Sequence, residues 1–448
     1  MLPAGTKLGP CEMLAPPGKG CHAQSATLCT CQAHFRSSKL HAGGTLDGSM
    51  SRSSLRRNSS ALARRIVTAC AITALLGGCG HPPLKAQYPE SKSQSSSVPR
   101  AREADDIARF LAGLPGRPGS PLADLEASEA WQIHRKRLGD AWRRTETTLV
   151  RELSAFQKQE LSGDPAWAAP VFYPFGGPDA LTVTLLFPQS PIFTVVGLEP
   201  AGTLPSLARI RKSDLLKYLA ETRETLTSEL SRSFFITRDM DRQFRGQITD
   251  GLMLPILELL VRTHHRVLGF RYVRLDEEGQ IIERAPVYKA QTRYGNKGIQ
   301  IEFEIESDGS IHTLNYFTVN LSNARLLENK PFLSYLSHLS GVTTYLKATS
   351  YLTHQAAFSM IRESVLARSA NILQDDSGIP YAFLRPEIWR VQLHGEYNRP
   401  YGSFRSMTQP ALRKAYSEAS VKPLSLHLGY GYARIGSNLL LARRRMRN

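Results

Sequence analysis

Beyond residue 79 the chain has no cysteine: all six, at positions 11, 21, 29, 31, 70 and 79, lie at or before it. Disulfide staples, thiol nucleophiles and thiolate metal sites are thereby excluded from the body. A body of this length can instead bury enough apolar surface to hold together by packing alone. Familiar catalytic signatures are missing too. There is no G-x-S-x-G nucleophile elbow, no P-loop and no H-E-x-x-H pair. His264, His265, His312, His338, His354, His394 and His427 have no partner at metal-ligand spacing.

Charge is abundant but says little about the body. The formal balance is +17, from 56 basic and 39 acidic residues. Nine basic and two acidic residues lie between Met1 and Gly78, and Arg443, Arg444, Arg445 and Arg447 crowd the other end. The remainder is an ordinary solubility charge and does not point to nucleic acid. The terminal arginines read as a solvated end that can also meet anionic lipid headgroups.

The most informative segment runs from Met50 to Cys79. Arg52, Arg56, Arg57, Arg64 and Arg65 precede an apolar run from Ile66 to Gly78, and the run ends in Leu76-Gly77-Gly78-Cys79. A basic region, a short apolar region and a small-residue cleavage site make a secretory signal. The apolar run is too short for a spanning helix, which needs about 20 residues. Asn58-Ser59-Ser60 after Arg56-Arg57 lacks the apolar residues of a twin-arginine signal. The segment resembles the signal peptides of bacterial lipoproteins, and that resemblance makes Cys79 the lipidated first residue of the mature protein. It implies a diacylglyceryl thioether on Cys79, usually with a further acyl group on its amine, and several acyl chains anchor stably where one does not. Gly80, rather than an Asp, then favours the outer membrane facing the periplasm in an organism that has one.

This signal divides the chain. Residues 1–49 carry no apolar periodicity and read as a misassigned or disordered leader, with Met50 as the expected start. Cys29-Thr30-Cys31 within it lacks the spacing of a structural zinc site. Residues 50–78 are the signal peptide, and 79–101, rich in Ser and Pro, form a tether unable to bury a core. Residues 102–448 read as one large α/β domain, with mixed α+β as the alternative. In it a helical N-terminal part, 102–165, packs on a mixed sheet with one βαβ unit and a later hairpin.

Within the body, Glu103–Leu111 and Leu122–Leu161 read as helices; Trp131, Ile133, Leu138, Trp142, Leu149, Leu153 and Phe156 recur near spacings of three and four. Val171–Phe175, a Gly-Gly turn, Pro178 in a first helical turn and a buried strand ending at Glu199 make the βαβ unit. Its layout resembles the dinucleotide-binding and class I methyltransferase pattern, which implies ligand-facing roles for Gly176, Gly177, Asp179 and Glu199. Gly-Gly-Pro-Asp departs from G-x-G-x-x-G, and Pro178 removes an N–H. The residues themselves read as a tight turn with Asp179 capping a helix. No cofactor or metal is expected.

Further on, helices are expected over Leu207–Leu230, Gly251–Val261, Pro331–Leu339 and Val342–Ser369. Strands are expected over Val267–Leu275, Ile388–Tyr397 and Leu424–Tyr430, with Ser437–Ala442 as an edge. Ile299–Glu306 and Ile311–Val319 flank Ser307-Asp308-Gly309 as a hairpin whose Glu302, Glu304 and Glu306 face water. Asp375 and Asp376 sit in a polar loop; adjacent carboxylates can share a proton or bind metal, and Asp-Ser-Gly is also an Asx-type turn. Tyr173–Asp179, Gly197–Pro200 and Gln374–Pro380 resemble phrases of bacterial lipoprotein-like proteins to which no reaction is attached, so no catalytic residue is carried over.

Three functions remain. The first is an envelope lipoprotein that binds a partner or polymer, anchored to the bilayer through Cys79. The second is an exported hydrolase or metal-dependent enzyme drawing on Asp179, Glu199, Asp375, Asp376 or His354. The third is a degenerate nucleotide-fold protein. The anchor is tested directly: Cys79→Ala should abolish acyl labelling and release the body from membranes, and unchanged retention refutes the signal assignment.

Overall fold

The structure, a computed structural model, describes residues 98–205, 207, 212–230, 251–284, 297–400, 402–428 and 437–445. Cys79, the leader, the signal and nearly all of the tether lie outside them. Every described residue belongs to the compact unit Pro83–Asn448. Among the described residues no helix is long and apolar enough to cross a membrane.

Helices open the body. Val98–Leu111 (α1) and Ala123–Glu126 (α2) precede Glu129–Thr145 (α3), whose start is capped by Ser128 accepting from the Trp131 N–H. The helical path continues through a wide turn at Glu146–Val150, then Arg151–Phe156 (α4) and a second wide turn at Gln157–Leu161. The hydroxyls of Thr147 and Thr148 donate to the carbonyls of Arg143 and Arg144, back-bonding of the kind that bends helices. Of the expected apolar residues, Trp131, Leu138, Trp142, Leu149, Leu153 and Phe156 are buried, while Ile133 is only half-buried.

The fold is α/β, built on a mixed sheet that has eleven strands among the described residues. Its strands are Val171–Tyr173 (β1), Ile192–Gly197 (β2), His265–Leu275 (β3), Ile281–Glu283 (β4), Lys297–Ile305 (β5) and Ile311–Thr318 (β6). Val342–Leu346 (β7), Ser369–Gln374 (β8), Trp389–Gly395 (β9), Val421–Lys422 (β10) and Asn438–Arg444 (β11) complete it. The spatial order is β10-β9-β11-β8-β7-β1-β2-β6-β5-β3-β4. From β8 to β6 all neighbours are parallel. Antiparallel β5 and β3 extend one side, and antiparallel β11 joins β8 to β9 on the other.

Helices cover both faces. Ala180–Leu186 (α5), Lys212–Leu230 (α6) and Met253–Arg262 (α7) join α1 and α3 on one side, where Tyr173, Val195, Tyr316 and Tyr345 point. Asn323–Glu328 (α8), Lys330–His338 (α9), Ser359–Arg368 (α10) and Pro410–Glu418 (α11) lie on the other, against Phe172, Val196, Phe317 and Leu346. Consecutive strand residues thus enter opposite cores, which is why these strands read as continuous apolar runs. Among the described residues the three apolar cores are built from residues between Ala104 and Ala442.

The βαβ unit and the hairpin match their expected elements, and Glu304 and Glu306 pair with Arg266 and Arg117 at the surface. Four expectations are corrected. Val342–Ser369 is not a helix: its first five residues, β-branched or aromatic apart from Leu346, form the wholly buried β7, and helix resumes only at Ser359. Pro178 precedes the helix, since Asp179 is the cap and α5 starts at Ala180. Of the strand expected over Leu424–Tyr430, Leu424–Leu428 forms none and residues 429–430 lie outside the described ones; Val421–Lys422 instead pairs with β9. Finally, β11 is interior rather than an edge.

Helix α7 is buried along its whole length and takes Glu258 inside with it. Burial raises this carboxyl to about 8, with the charge of Arg262 pulling the other way. A folded value above the unfolded one means that its contribution to stability is present in acid and lost as pH rises through about 8. Glu258→Gln should therefore raise the thermal midpoint by a few degrees at about pH 9 and change it little at about pH 5. Equal shifts at both pH values would show that the carboxyl does not titrate in the fold.

Candidate functional site

In doubly wound sheets ligands bind outside the carboxyl ends of the strands, where neighbouring strands send their connections in opposite directions. Here the chain leaves β1 towards β2 and leaves β7 towards β8, so the crevice lies between the ends of β1 and β7. Of the five non-glycine residues with positive φ among the described residues, Phe175, Ala348, Ser350 and Tyr351 follow these two strands. Such conformations cost about 1–3 kcal/mol each and persist where surrounding contacts over-determine them.

The turn after β1 brings its two glycines to different environments. A Cβ on Gly176 would come within 2.6 Å of Val195 and 2.7 Å of the Tyr173 ring, so Gly176 faces the core. Gly177, at φ +57, faces open space, but its N–H is already donated to the Val196 carbonyl at 3.2 Å. Gly197 permits the approach of the turn to β2: a Cβ there would lie 3.1 Å from Gly177 Cα.

Asp179 fills the position where a ligand anion would meet the helix start. Its carboxylate accepts from the Thr182 N–H at 3.0 Å, from the Thr182 hydroxyl, and from the Tyr173 hydroxyl at 3.0 Å. Lys347, the residue after β7, places its Nζ 2.6 Å from Asp179 Oδ2, and both side chains are only 2% exposed. The Tyr173 and Tyr345 rings lie beside the pair, tilted 48° to each other with centroids 4.6 Å apart. Burial first, and then the charge of Asp179, push both phenols well above their ordinary range.

The same strand exit grips the other acids. The Ala348 N–H donates to Asp375 Oδ2 at 2.8 Å, while Asp375 Oδ1 accepts from the Ser377 N–H at 2.9 Å and from its hydroxyl. This is the Asx turn expected from Asp-Ser-Gly. Asp376 accepts from the Tyr351 hydroxyl at 2.8 Å and the Asn438 amide at 3.1 Å. Burial raises both carboxyls, and the charge of Asp376 adds to the effect on Asp375. His354 stands edge-on to Tyr351 at 5.1 Å, and burial lowers it to about 4.

Of the sequence candidates, Asp179, Asp375, Asp376 and His354 are thus gathered around the Lys347–His354 segment. Glu199 sits apart on the β2–β6 side, its backbone carbonyl accepting from Tyr316 and Thr318 at 2.7 and 2.8 Å. Among the described residues no group of three His, Cys, Asp or Glu could hold a metal ion. Sequence reasoning missed Lys347, Tyr345 and Tyr351, because a helix was expected there. The β-branched Val342-Thr343-Thr344 run ahead of a lone lysine was the available signal.

Chemically, the arrangement is closed. The carboxylate oxygens of Asp179 and Asp375 all accept from protein donors, and the start of α5 is neutralised by the chain's own anion. Comparison with known proteins finds no matching family model, curated protein or solved structure. Breaking the pair should be costly: Lys347→Met, which strands a buried carboxylate, is expected to lower stability by about 3–5 kcal/mol in denaturant unfolding. Asp179→Asn combined with Lys347→Met should recover most of that loss, whereas additive losses would show that the two charges are not coupled.

Proposed function

We propose that the chain is a bacterial envelope lipoprotein, held to the membrane through acylated Cys79, whose body serves a binding or structural role rather than a catalytic one. The sequence from Arg64 to Cys79 supports the anchor. One observation carries the reading of the body: the buried Asp179–Lys347 pair occupies the strand-end crevice in which a sheet of this type would receive its ligand. The body is then a nucleotide-type sheet with its ligand position filled from within. Placement at the outer membrane follows from Gly80.

An exported hydrolase is the second reading, favoured by the left-handed backbone at Ala348, Ser350 and Tyr351, since such strain gathers at functional sites. Hydrolysis of an ester, phosphate or glycoside that is lost in Asp375→Asn or Asp376→Asn would install it in place of the first. The filled crevice has its own test in thermal unfolding with ATP, NAD and S-adenosylmethionine. The expected shift is under about 1 °C for each. A ligand present at about 100 times its Kd would add about 2.7 kcal/mol and several degrees, and that result would overturn the reading.

A further inference from the structure

The outward side of the long helical path is basic, and most of its cations are not neutralised locally. Lys136, Arg137, Arg143, Arg144, Arg151 and Lys158 are all exposed, while Trp131, Leu138, Trp142, Leu149, Leu153 and Phe156 take the buried side. The exposed acids of this path are Glu129, Asp140 and Glu146. Asp140 is engaged by Arg143, and among the described residues Lys136, Arg137, Arg144, Arg151 and Lys158 have no carboxylate within 4.0 Å. Elsewhere on the body the exposed basic side chains are mixed: Arg266 has Glu304, Arg325 has Glu328, Lys414 has Glu418 and Lys422 has Glu160, while Arg274, Lys330, Arg390 and Arg413 have no such partner among the described residues. What sets the α3–α4 face apart is that its unpaired cations Arg137, Arg144 and Arg151 recur every seven residues along one helical path.

A second helix adds to the same field. Arg223 of α6, which packs on α3, lies close enough to Arg137 for the like charge to lower its pKa further, after burial and against the opposing charge of Glu224. Cations gathered without counter-charges repel one another unless an external anion faces them. The surface has none of the stacking platform that single-stranded nucleic acid needs, since the aromatic residues of this path, Trp131, Trp142 and Phe156, are buried.

We propose that this face of α3 and α4 lies against anionic phospholipid headgroups. The inference rests on the anchoring reading for its geometry. Helix α1, the first described element after Cys79, shares a core with α3 through the stacked rings of Phe110 and Trp131, 5.8 Å apart. Eighteen residues separate Cys79 from Val98, a reach of at most about 65 Å when fully extended. A lipid on Cys79 would hold the helical layer within that distance of the bilayer. Contact is electrostatic and peripheral, because the apolar side of the helix is committed to the core.

The test uses residues 83–448, the compact unit that holds the three apolar cores of the described residues and lacks Cys79, its folding first checked by circular dichroism and a cooperative thermal transition, so that its failure to bind leaves the anchor untouched. Sedimentation with vesicles of phosphatidylcholine alone is compared with vesicles that also contain phosphatidylglycerol. Binding is expected only to the anionic vesicles, with release as salt shortens the Debye length. The triple variant Arg137→Glu, Arg144→Glu, Arg151→Glu should bind at least roughly a hundredfold more weakly, at about fivefold per basic residue removed from the surface. Its thermal midpoint should match the parent, and reversal of Arg325 and Lys414 to Glu should leave binding unchanged. Equal binding to both vesicle types, no binding, indifference to the triple reversal, or tighter binding to duplex DNA than to anionic vesicles would each overturn the proposal.

Discussion

The ion pair between Asp179 and Lys347 is the contact on which the centre of this sheet depends. Taking two charges out of water costs several kcal/mol per ion even after relaxation, and attraction offsets that only with good geometry and further hydrogen bonds. Both conditions are met, because Asp179 also accepts from Thr182 twice and from Tyr173. The pair joins the exits of β1 and β7, strands adjacent in space but far apart in sequence. It also places a carboxylate where the positive end of α5 needs one, so a single residue serves as helix cap, counter-ion and plug.

From Lys347 the constraint passes along the chain. Ala348 holds Asp375, the Thr349 N–H donates to Ser377 Oγ at 2.9 Å, and the Thr353 hydroxyl donates to the Gly378 carbonyl at 2.6 Å. Asp376 extends the network to Asn438 at the start of β11 and to Gln409 just before α11. These bonds account for the left-handed residues between β7 and α10: each lies in a segment fixed at both ends by side chain to backbone contacts. The strain is therefore explained by the closure of the strand ends, and no substrate is needed to account for it.

How much of this was legible depended on whether local pattern and tertiary place agreed. The hairpin at Ser307–Gly309 and the helix carrying Trp131 to Phe156 were readable because alternation and helical spacing are local properties. The cap at Asp179 was readable for the same reason. Strand β7 was not, since a five-residue buried strand followed by short turns carries no period to separate it from the helix after it. With β7 misread, Lys347 lost its place, and Asp375 seemed a loop acid rather than part of a network. The position of β11 between β8 and β9 lay beyond any local signal, because strand order is set by pairing across the sheet. Cys79, the firmest candidate in the sequence, lies outside the described residues and stands on its motif alone.

A sheet end sealed by its own side chains shifts the question of recognition from the crevice to the surface. Charge in this chain is unevenly managed: inside, each oxygen of Asp179 and Asp375 has a donor, while on the outer side of α3 and α4 Arg143 has Asp140 but Arg137, Arg144 and Arg151 have no carboxylate within 4.0 Å among the described residues. Burial demands compensation within the protein, because an uncompensated charge there would destabilise the fold. Exposure makes no such demand, so an uncompensated surface can be kept for a partner outside the chain. Total charge conceals this division, since a modest net value arises equally from paired cations spread over a surface and from unpaired ones gathered on one helix. The arrangement of Arg137, Arg144 and Arg151 is thus the informative quantity, and it emerges only when the helix is seen together with what its neighbours do or do not neutralise.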